Sequence, residues 1–312
     1  MLLFITPNPC IERTYLLDDF DCGNVHRVPS AKVLLNAGGK GINAARVASQ
    51  FSSKVLSLSW VGETQYDWFD RQLDDENVPH ELIRVAPETR TCINILRTGS
   101  PKTEIVEAGL PIPKSAGIQL LERLKVLLPQ TSLLVVCGSY PPDSLENHLQ
   151  EIARLAQEYN VALLVDGKGK AFKQLLESHL PLWAIKPNID EAEEIIGRSI
   201  ETSDQEQDAI KVLLRYNVQN VILSCGKRGA YLGNAESITF FDSPKVQEIS
   251  AVGSGDSFVG AFCAQWIATG DLQYAMRYGV AAGAVNASQA KSAFCTKTEI
   301  SEQLAIDQCT SF

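Results

Sequence analysis

The residues best placed to do chemistry lie in the stretch from Ile249 to Gly260, which reads Ile-Ser-Ala-Val-Gly-Ser-Gly-Asp-Ser-Phe-Val-Gly. Gly253 and Gly255 let the backbone turn sharply and approach a ligand closely. An apolar helical pattern follows, so the positive end of a helix points at the same place. The amides of Gly253, Ser254 and Gly255 then form a cradle for an anion. Asp256 stands beside that cradle. An aspartate there can be a simple stabilising charge at a helix start. Flanked by these glycines and serines, it reads instead as a group acting on a second reactant. A helix N-terminus is expected to depress its pKa and make it a weak base. Phosphoryl transfer tolerates a weak base, because the attacking hydroxyl loses its proton late and positioning dominates.

A second glycine-rich stretch, Asn36-Ala37-Gly38-Gly39-Lys40-Gly41-Ile42-Asn43-Ala44, carries the spacing G-x-G-x-x-A. One reading is a dinucleotide fingerprint, with Glu63 roughly 20 residues on as the ribose partner. The other is backbone pressed close to a polar substrate, with Lys40 and Asn43 pointing at it. Both stay open on these residues alone. A Walker loop and a Gly-x-Ser-x-Gly elbow are absent, and the 4 histidines sit in no catalytic arrangement. That excludes a P-loop NTPase and argues against a serine hydrolase.

These residues need a frame. From about residue 112 short apolar strands (132–137, 161–165, 183–186, 220–224) alternate with helices (114–128, 145–159, 170–176, 191–196, 205–216). That rhythm predicts a parallel sheet covered on both faces. Upstream, the pattern predicts strands over 2–6 and 54–61 and helices over 44–51 and 65–76. Downstream it predicts a hairpin over 230–232 and 238–241, then helices over 256–268, 272–288 and 299–305. Ligands bind beyond the carboxyl ends of parallel strands. Asn8, Gly138-Ser139, Asp166-Gly167, Pro187-Asn188, Cys225-Gly226 and Asp256 should therefore share one rim. Segments 15–17, 25–35, 89–97 and 103–107 do not fit the rhythm. They are expected to form a small sheet, a lid drawn from about 12–35 and 89–107, whose apolar face invites a second copy. The expected whole is one α/β domain over 1–312.

Bulk composition narrows the class. The chain has 312 residues, 45% apolar and 21% charged, with a net charge of -9. The negative charge argues against nucleic-acid and anionic-membrane partners. The 8 cysteines form no C-x-x-C pair, so neither a zinc site nor a disulfide framework is indicated. The N-terminal apolar run stops at Pro7, too short for a signal peptide or membrane span, and a cytoplasmic location is expected.

Four segments, in order, resemble the PfkB-type, ribokinase-like carbohydrate kinases. Residues 249–260 are similar to that family's C-terminal signature, and Gly38 to Arg46 to its N-terminal, sugar-contacting signature. Lys186-Pro187-Asn188-Ile189-Asp190-Glu191 and Ser224-Cys225-Gly226-Lys227-Arg228-Gly229-Ala230 resemble its nucleotide-side segments. The resemblance implies ATP and Mg²⁺ as cofactors, with Asp256 as base and Gly253, Ser254 and Gly255 as the anion hole. It implies nucleotide contacts from Lys186, Asn188, Ser224, Gly226, Gly229 and Asn286, and an indirect Mg²⁺ role for Glu191. Asn8-Pro9, Arg13-Thr14-Tyr15, Asn24 to Arg27, Thr89-Arg90-Thr91 and Gly138-Ser139-Tyr140-Pro141-Pro142 look like the hexose-phosphate kinases of 1-phosphofructokinase, tagatose-6-phosphate kinase and minor 6-phosphofructokinase type. Sugar-phosphate contacts are thereby implied for Glu12, Arg27, Gly38, Gly39, Lys40, Asn43, Arg90 and Ser139, and a homodimer through the lid. Cationic side chains are what an existing phosphate requires. The neighbouring readings are a kinase of an unphosphorylated sugar or nucleoside, and a non-catalytic sugar-phosphate sensor.

The chain departs from the family at three places. Glu12 stands where Asp is usual, and its extra methylene is expected to push the carboxylate deeper into the site. Ala251 stands where Thr is common, and Asp166-Gly167-Lys168-Gly169 replaces the common Asp-Thr-Ser-Gly.

Overall fold

The fold was obtained as a computed structural model, which describes residues 1–52, 54–97, 102–141 and 148–310. The first half runs β1 (Leu2–Thr6), β2 (Cys10–Leu17), β3 (Val33–Gly38), α1 (Lys40–Ser49), β4 (Val55–Gly62), α2 (Tyr66–Asp75), β5 (His80–Val85), β6 (Arg90–Arg97), β7 (Thr103–Val106) and α3 (Lys114–Leu127). It continues β8 (Leu133–Cys137), α4 (His148–Glu158), β9 (Ala162–Asp166), α5 (Gly169–Glu177), β10 (Leu182–Ile185), α6 (Ile189–Ile196) and α7 (Ser203–Leu214). The last part is β11 (Val218–Ser224), β12 (Gly229–Gly233), β13 (Ile238–Asp242), α8 (Ser254–Thr269), α9 (Leu272–Ala287) and α10 (Lys297–Thr310). Pro142 and the start expected for the fourth helix, 145–147, lie outside the described residues.

Among the described residues, nine strands form the main sheet in the order β13-β12-β11-β10-β9-β8-β1-β4-β5. Every pair from β11 to β5 is parallel, and only the β11-β12-β13 hairpin edge is antiparallel. Period-two alternation divides the core. Leu3 and Ile5 of β1 pack with Leu120, Leu124, Ile152, Phe172 and Leu213 on one face. Leu2 and Phe4 pack with Ile42, Phe69, Val259, Phe262 and Met276 on the other. Burial on both faces explains why these strands read as unbroken apolar runs. The chain leaves β1 toward β4 on one side and returns to β8 on the other, so a switch point opens beside β1 at the carboxyl ends of the strands.

The second sheet has four strands in the order β3-β2-β6-β7, from the two regions expected to stand apart. Its boundaries differ from those expected. The strand predicted at 15–17 begins at Cys10, and of 25–35 only Val33 onward is a strand. One strand escaped the sequence pattern entirely. β5 is the edge of the main sheet, paired only with β4, and its mixed sequence His-Glu-Leu-Ile-Arg-Val leaves most of it half-buried. Edge strands lose the apolar signature because solvent reaches them.

Helix α1 starts four residues before the expected position, at Lys40, because Gly39 (φ 122) supplies the backbone turn that ends β3 and caps the helix. It packs closely on α8. A methyl group placed on Gly260 would lie 2.3 Å from Ala44 O and 2.9 Å from Val47 Cβ. Gly260→Ala must therefore separate two helix backbones. It should lower unfolding stability by about 1–3 kcal/mol, read as a lower denaturant midpoint at unchanged slope.

Candidate active site

Helix α8 begins at Ser254 after Gly253, whose φ of 80 lies in the left-handed region that a side chain would resist. The amides of Gly253, Gly255 and Asp256 have no hydrogen-bond partner among the described residues, as expected at a helix start. Ser254 differs from its expected role. Its amide donates to Ala251 O at 3.2 Å, so the anion-facing donors are its neighbours. A methyl on Gly255 would lie 3.6 Å from Lys186 Nζ, which puts a buried ammonium beside those free amides.

Lys186 follows β10, and Asp166 ends β9 on the next strand. Lys186 Nζ lies 3.4 Å from Asp166 Oδ2, while Lys40 Nζ, from the first turn of α1, lies 3.2 Å from Asp166 Oδ1 and 3.6 Å from Glu191 Oε1. Burial pushes the Asp166 pKa up, yet the two lysines outweigh it and hold the carboxyl below its usual range. Burial likewise works against Lys40, and the carboxylates of Asp166, Glu191 and Asp256 outweigh it and raise the pKa. Lys40, expected at the sugar phosphate, is thus engaged with a carboxylate network at this rim.

Asp256 is 8% exposed. Its Oδ2 accepts from Asn43 Nδ2 at 2.9 Å. Asn43 Oδ1 accepts in turn from Arg46 Nη1 at 2.8 Å, and Arg46 Nε donates to Glu76 Oε2 at 2.9 Å. Both ends of Asn43 are engaged, so it orients Asp256 rather than facing a substrate freely. The expectation of a depressed pKa is overturned. Burial dominates over Lys40 and Asn43 and raises Asp256 to about 6. A carboxylate so tuned is a stronger base than a helix-capping one.

The nucleotide-side residues divide. Asn188 and Glu191 form the capping box of α6: Glu191 N–H donates to Asn188 Oδ1 at 2.7 Å and Asn188 N–H to Glu191 Oε2 at 3.0 Å. Glu191 keeps its other oxygen for Lys40. Ser224 Oγ donates to Pro187 O at 3.3 Å, joining the ends of β10 and β11. Gly226 and Gly229 flank a turn whose Arg228 pairs with buried Glu206 of α7. Asn286 is fully buried: Nδ2 donates to Val252 O (2.8 Å) and Ser254 Oγ (3.0 Å), and Oδ1 accepts from Ala293 N–H (2.6 Å). It props the anion loop from behind and is not placed to touch a nucleotide.

The sugar-side residues are more scattered. Gly38 and Gly39 press against their own chain. A methyl would meet Glu12 Cβ at 3.0 Å from Gly38 and Thr6 Cγ2 at 2.7 Å from Gly39. Glu12, 4% exposed, does not reach forward as its length suggested. Its Oε1 accepts from Ser292 Oγ (2.6 Å) and Asn94 Nδ2 (2.9 Å). Arg90 donates from Nη2 to Asn8 O (3.0 Å) and from Nη1 to Glu107 O (2.9 Å), in a recess shared with Gly109 and Pro141. Ser139 is half-buried just past β8. Arg27 is not brought to this cluster; it is exposed in the segment between β2 and β3, among Asp18, Asp19, Asp21 and Lys32. Asp166 belonged to the expected rim and Arg46 closed the N-terminal signature, both without an assigned role, and nothing marked Ser292. Asp166 was legible as an acid at a strand end. The other two act through contacts distant in sequence.

A parallel sheet whose rim carries a helix-start anion cradle, a buried and a half-buried lysine and buried carboxylates fits a phosphotransferase acting on an alcohol. The pfkB family carbohydrate kinase profile matches residues 6–299, and the chain belongs to that family. It is 28% identical over 290 residues, 93% of each chain, to a tagatose-6-phosphate kinase of Staphylococcus epidermidis. Its fold matches phosphofructokinase-2 of Escherichia coli in complex with fructose-6-phosphate at a TM-score of 0.87, with 24% identity and 98% of each chain covered. A possible 1-phosphofructokinase of Thermotoga maritima matches at 0.88 with 21% identity over 97% of each chain. The E. coli enzyme has also been solved in a tetrameric inhibited form. The fold is therefore the ribokinase-like one, the activity is that of a carbohydrate kinase, and kinase chemistry implies ATP. The dehydrogenase reading of residues 39–44 falls, since those glycines follow a strand of the small sheet.

Asp256 must be ionised to accept a proton, so the rate should rise through about pH 6 and fall below it. Asn43→Ala removes a donor that favours the ionised form. It should lower the rate and move that acid limb upward in a kcat/KM profile.

Proposed function

We propose that the chain transfers the terminal phosphoryl group of ATP to a hydroxyl of a phosphorylated ketohexose, with fructose 1-phosphate, fructose 6-phosphate and tagatose 6-phosphate as the candidates. The observation that carries this is Asp256, buried beside free amides of the α8 start, its pKa raised by burial to about 6. Asp256 takes the proton of the acceptor hydroxyl. The amides of Gly253 and Gly255 and the Lys186 ammonium meet the charge of the transferring group. Kinship to a tagatose-6-phosphate kinase over nearly the full length supports the acceptor class. Arg90 and Ser139 then belong to the sugar-phosphate end, with Gly38, Gly39 and Glu12 beside it. Ser224, Gly226 and Gly229 border the nucleotide.

The residues also fit a divalent cation held through phosphates. Lys40 and Lys186 face the three carboxylates of Asp166, Glu191 and Asp256, a deficit of positive charge that Mg²⁺ would offset. Among the described residues no group of three or more His, Cys, Asp or Glu could hold a metal by itself. That suits Mg²⁺, which keeps several waters and leans on substrate phosphates. When bound it would neutralise charge on the phosphates, with Glu191 acting from a distance.

The whole chain acts as one kinase unit in this reading, with the four-stranded sheet as its lid. That sheet and its loops expose Ile105 (54%), Val106 and Val25 (80%). Such apolar surface fits a second copy and a homodimer. No described helix is long and apolar enough to cross a membrane, and the expected place of action is the cytoplasm.

An ATP-coupled assay over the three sugar phosphates tests the function. Turnover with at least one, abolished by a chelator of divalent cations, is expected; no turnover by folded protein overturns it. Asp256→Asn should cost about 10²–10⁴ in kcat with nucleotide binding retained. Light scattering should give twice the chain mass, and Ile105→Asp should halve it.

A further inference from the structure

The segment Lys291 to Phe294, between α9 and α10, touches three separate parts of the site. Ser292 Oγ donates to Glu12 Oε1 at 2.6 Å, joining residues 280 apart in sequence. Ala293 N–H donates to Asn286 Oδ1 at 2.6 Å, and Asn286 holds Val252 and Ser254. A methyl on Gly253 would lie 2.9 Å from Ser292 Cβ and 3.2 Å from Ala293 N, so the segment abuts the anion loop directly. The Phe294 ring carries the Arg46 guanidinium at 4.6 Å and Lys291 Nζ at 3.4 Å. Arg46 is the residue that holds Asn43, and Asn43 holds Asp256.

The backbone of this segment is itself constrained. Ala293, fully buried, has a φ of 57 in the left-handed region that residues with a Cβ avoid. Such a conformation persists where the surroundings over-determine it. The Glu12 contact is one of those surroundings. Glu12 lies on β2, and on the neighbouring strand β6 Asn94 braces the same oxygen. An aspartate at position 12, shorter by roughly 1.5 Å, would not span the gap to Ser292.

We propose that Glu12 and Ser292 form a positioning strap. Through it the small sheet holds segment 291–294 against the phosphate loop, so the geometry of the anion-binding amides depends on how β2 is seated. Glu12 then acts on the phosphoryl end of the reaction from the sugar end of the site. Its distinctive length serves this reach.

The test compares Glu12→Asp, Ser292→Ala, the double variant and Ser292→Thr, with no ligand added, by hydrogen exchange. The reporters are the hydrogen-bonded amides of Ser254, Ser257 and Ala293. Each single variant should speed their exchange about tenfold, and the double variant no further, because both remove one interaction. Ser292→Thr keeps the hydroxyl and should restore protection. In turnover, the same variants should lower kcat about tenfold with the KM for ATP within about twofold. Unchanged exchange at these amides, additive effects, or faster exchange spread over the whole protein would overturn the strap. Should Glu12→Asp fail to fold, Ser292→Ala and Ser292→Thr decide alone. The inference rests on the kinase reading only for its kinetic arm. If no sugar phosphate is turned over, the exchange arm still decides.

Discussion

Asp166 is a carboxylate with 1% of its surface exposed, and it stays charged only because two ammonium groups reach it. An isolated buried charge costs several kcal/mol, so the partners are obligatory. One comes from β10 and the other from α1, which bridges the two parts of the chain that meet at the site. Satisfying Asp166 therefore brings the end of β9, the end of β10 and the start of α1 to one point. Of the two lysines, Lys186 also lies beside the amides at the start of α8. A charged cluster beside the start of α8 is thus assembled by the folded chain's own electrostatics. Asp256 sits in the same field without a full counter-charge of its own, which leaves it half-willing to take a proton.

Much of this was legible in the sequence, and the reasons differ by region. The parallel sheet could be read because strands buried on both faces keep few polar residues. β5 could not, because an edge strand is half polar. The anion cradle was legible because glycine spacing and a following helix both act over a few residues. Roles that depend on long-range contacts were not. Asn43 looked like a sugar ligand until Arg46 and Asp256 were seen at its two ends. Asn286 looked like a nucleotide contact until its amide was found spent on Val252, Ser254 and Ala293. The pKa of Asp256 was misjudged in sign because a helix start is visible in a sequence and burial is not.

The two ends of the site also differ in how firmly they are held. At the phosphate end the side chains are nearly all engaged with one another, and capping residues such as Glu191 serve α6 and Lys40 together. At the sugar end Arg27 stays in an exposed loop and Arg90 is occupied with backbone carbonyls. In the proposed reading, acceptor recognition is the part of the molecule left open to rearrangement, while the residues around Asp256 are held in place by one another.

The contact of Gly260 with Ala44 separates those two behaviours. The glycine-rich start of α1 and the anion loop of α8 ride on two helices that meet main chain to main chain. The gap between base orienter and phosphate cradle is thus gauged by atoms common to every residue type. Core side chains elsewhere can drift over evolutionary time, changing stability, without altering that gap. Loops and the small sheet can be refitted to a new sugar while the machinery keeps its calibration.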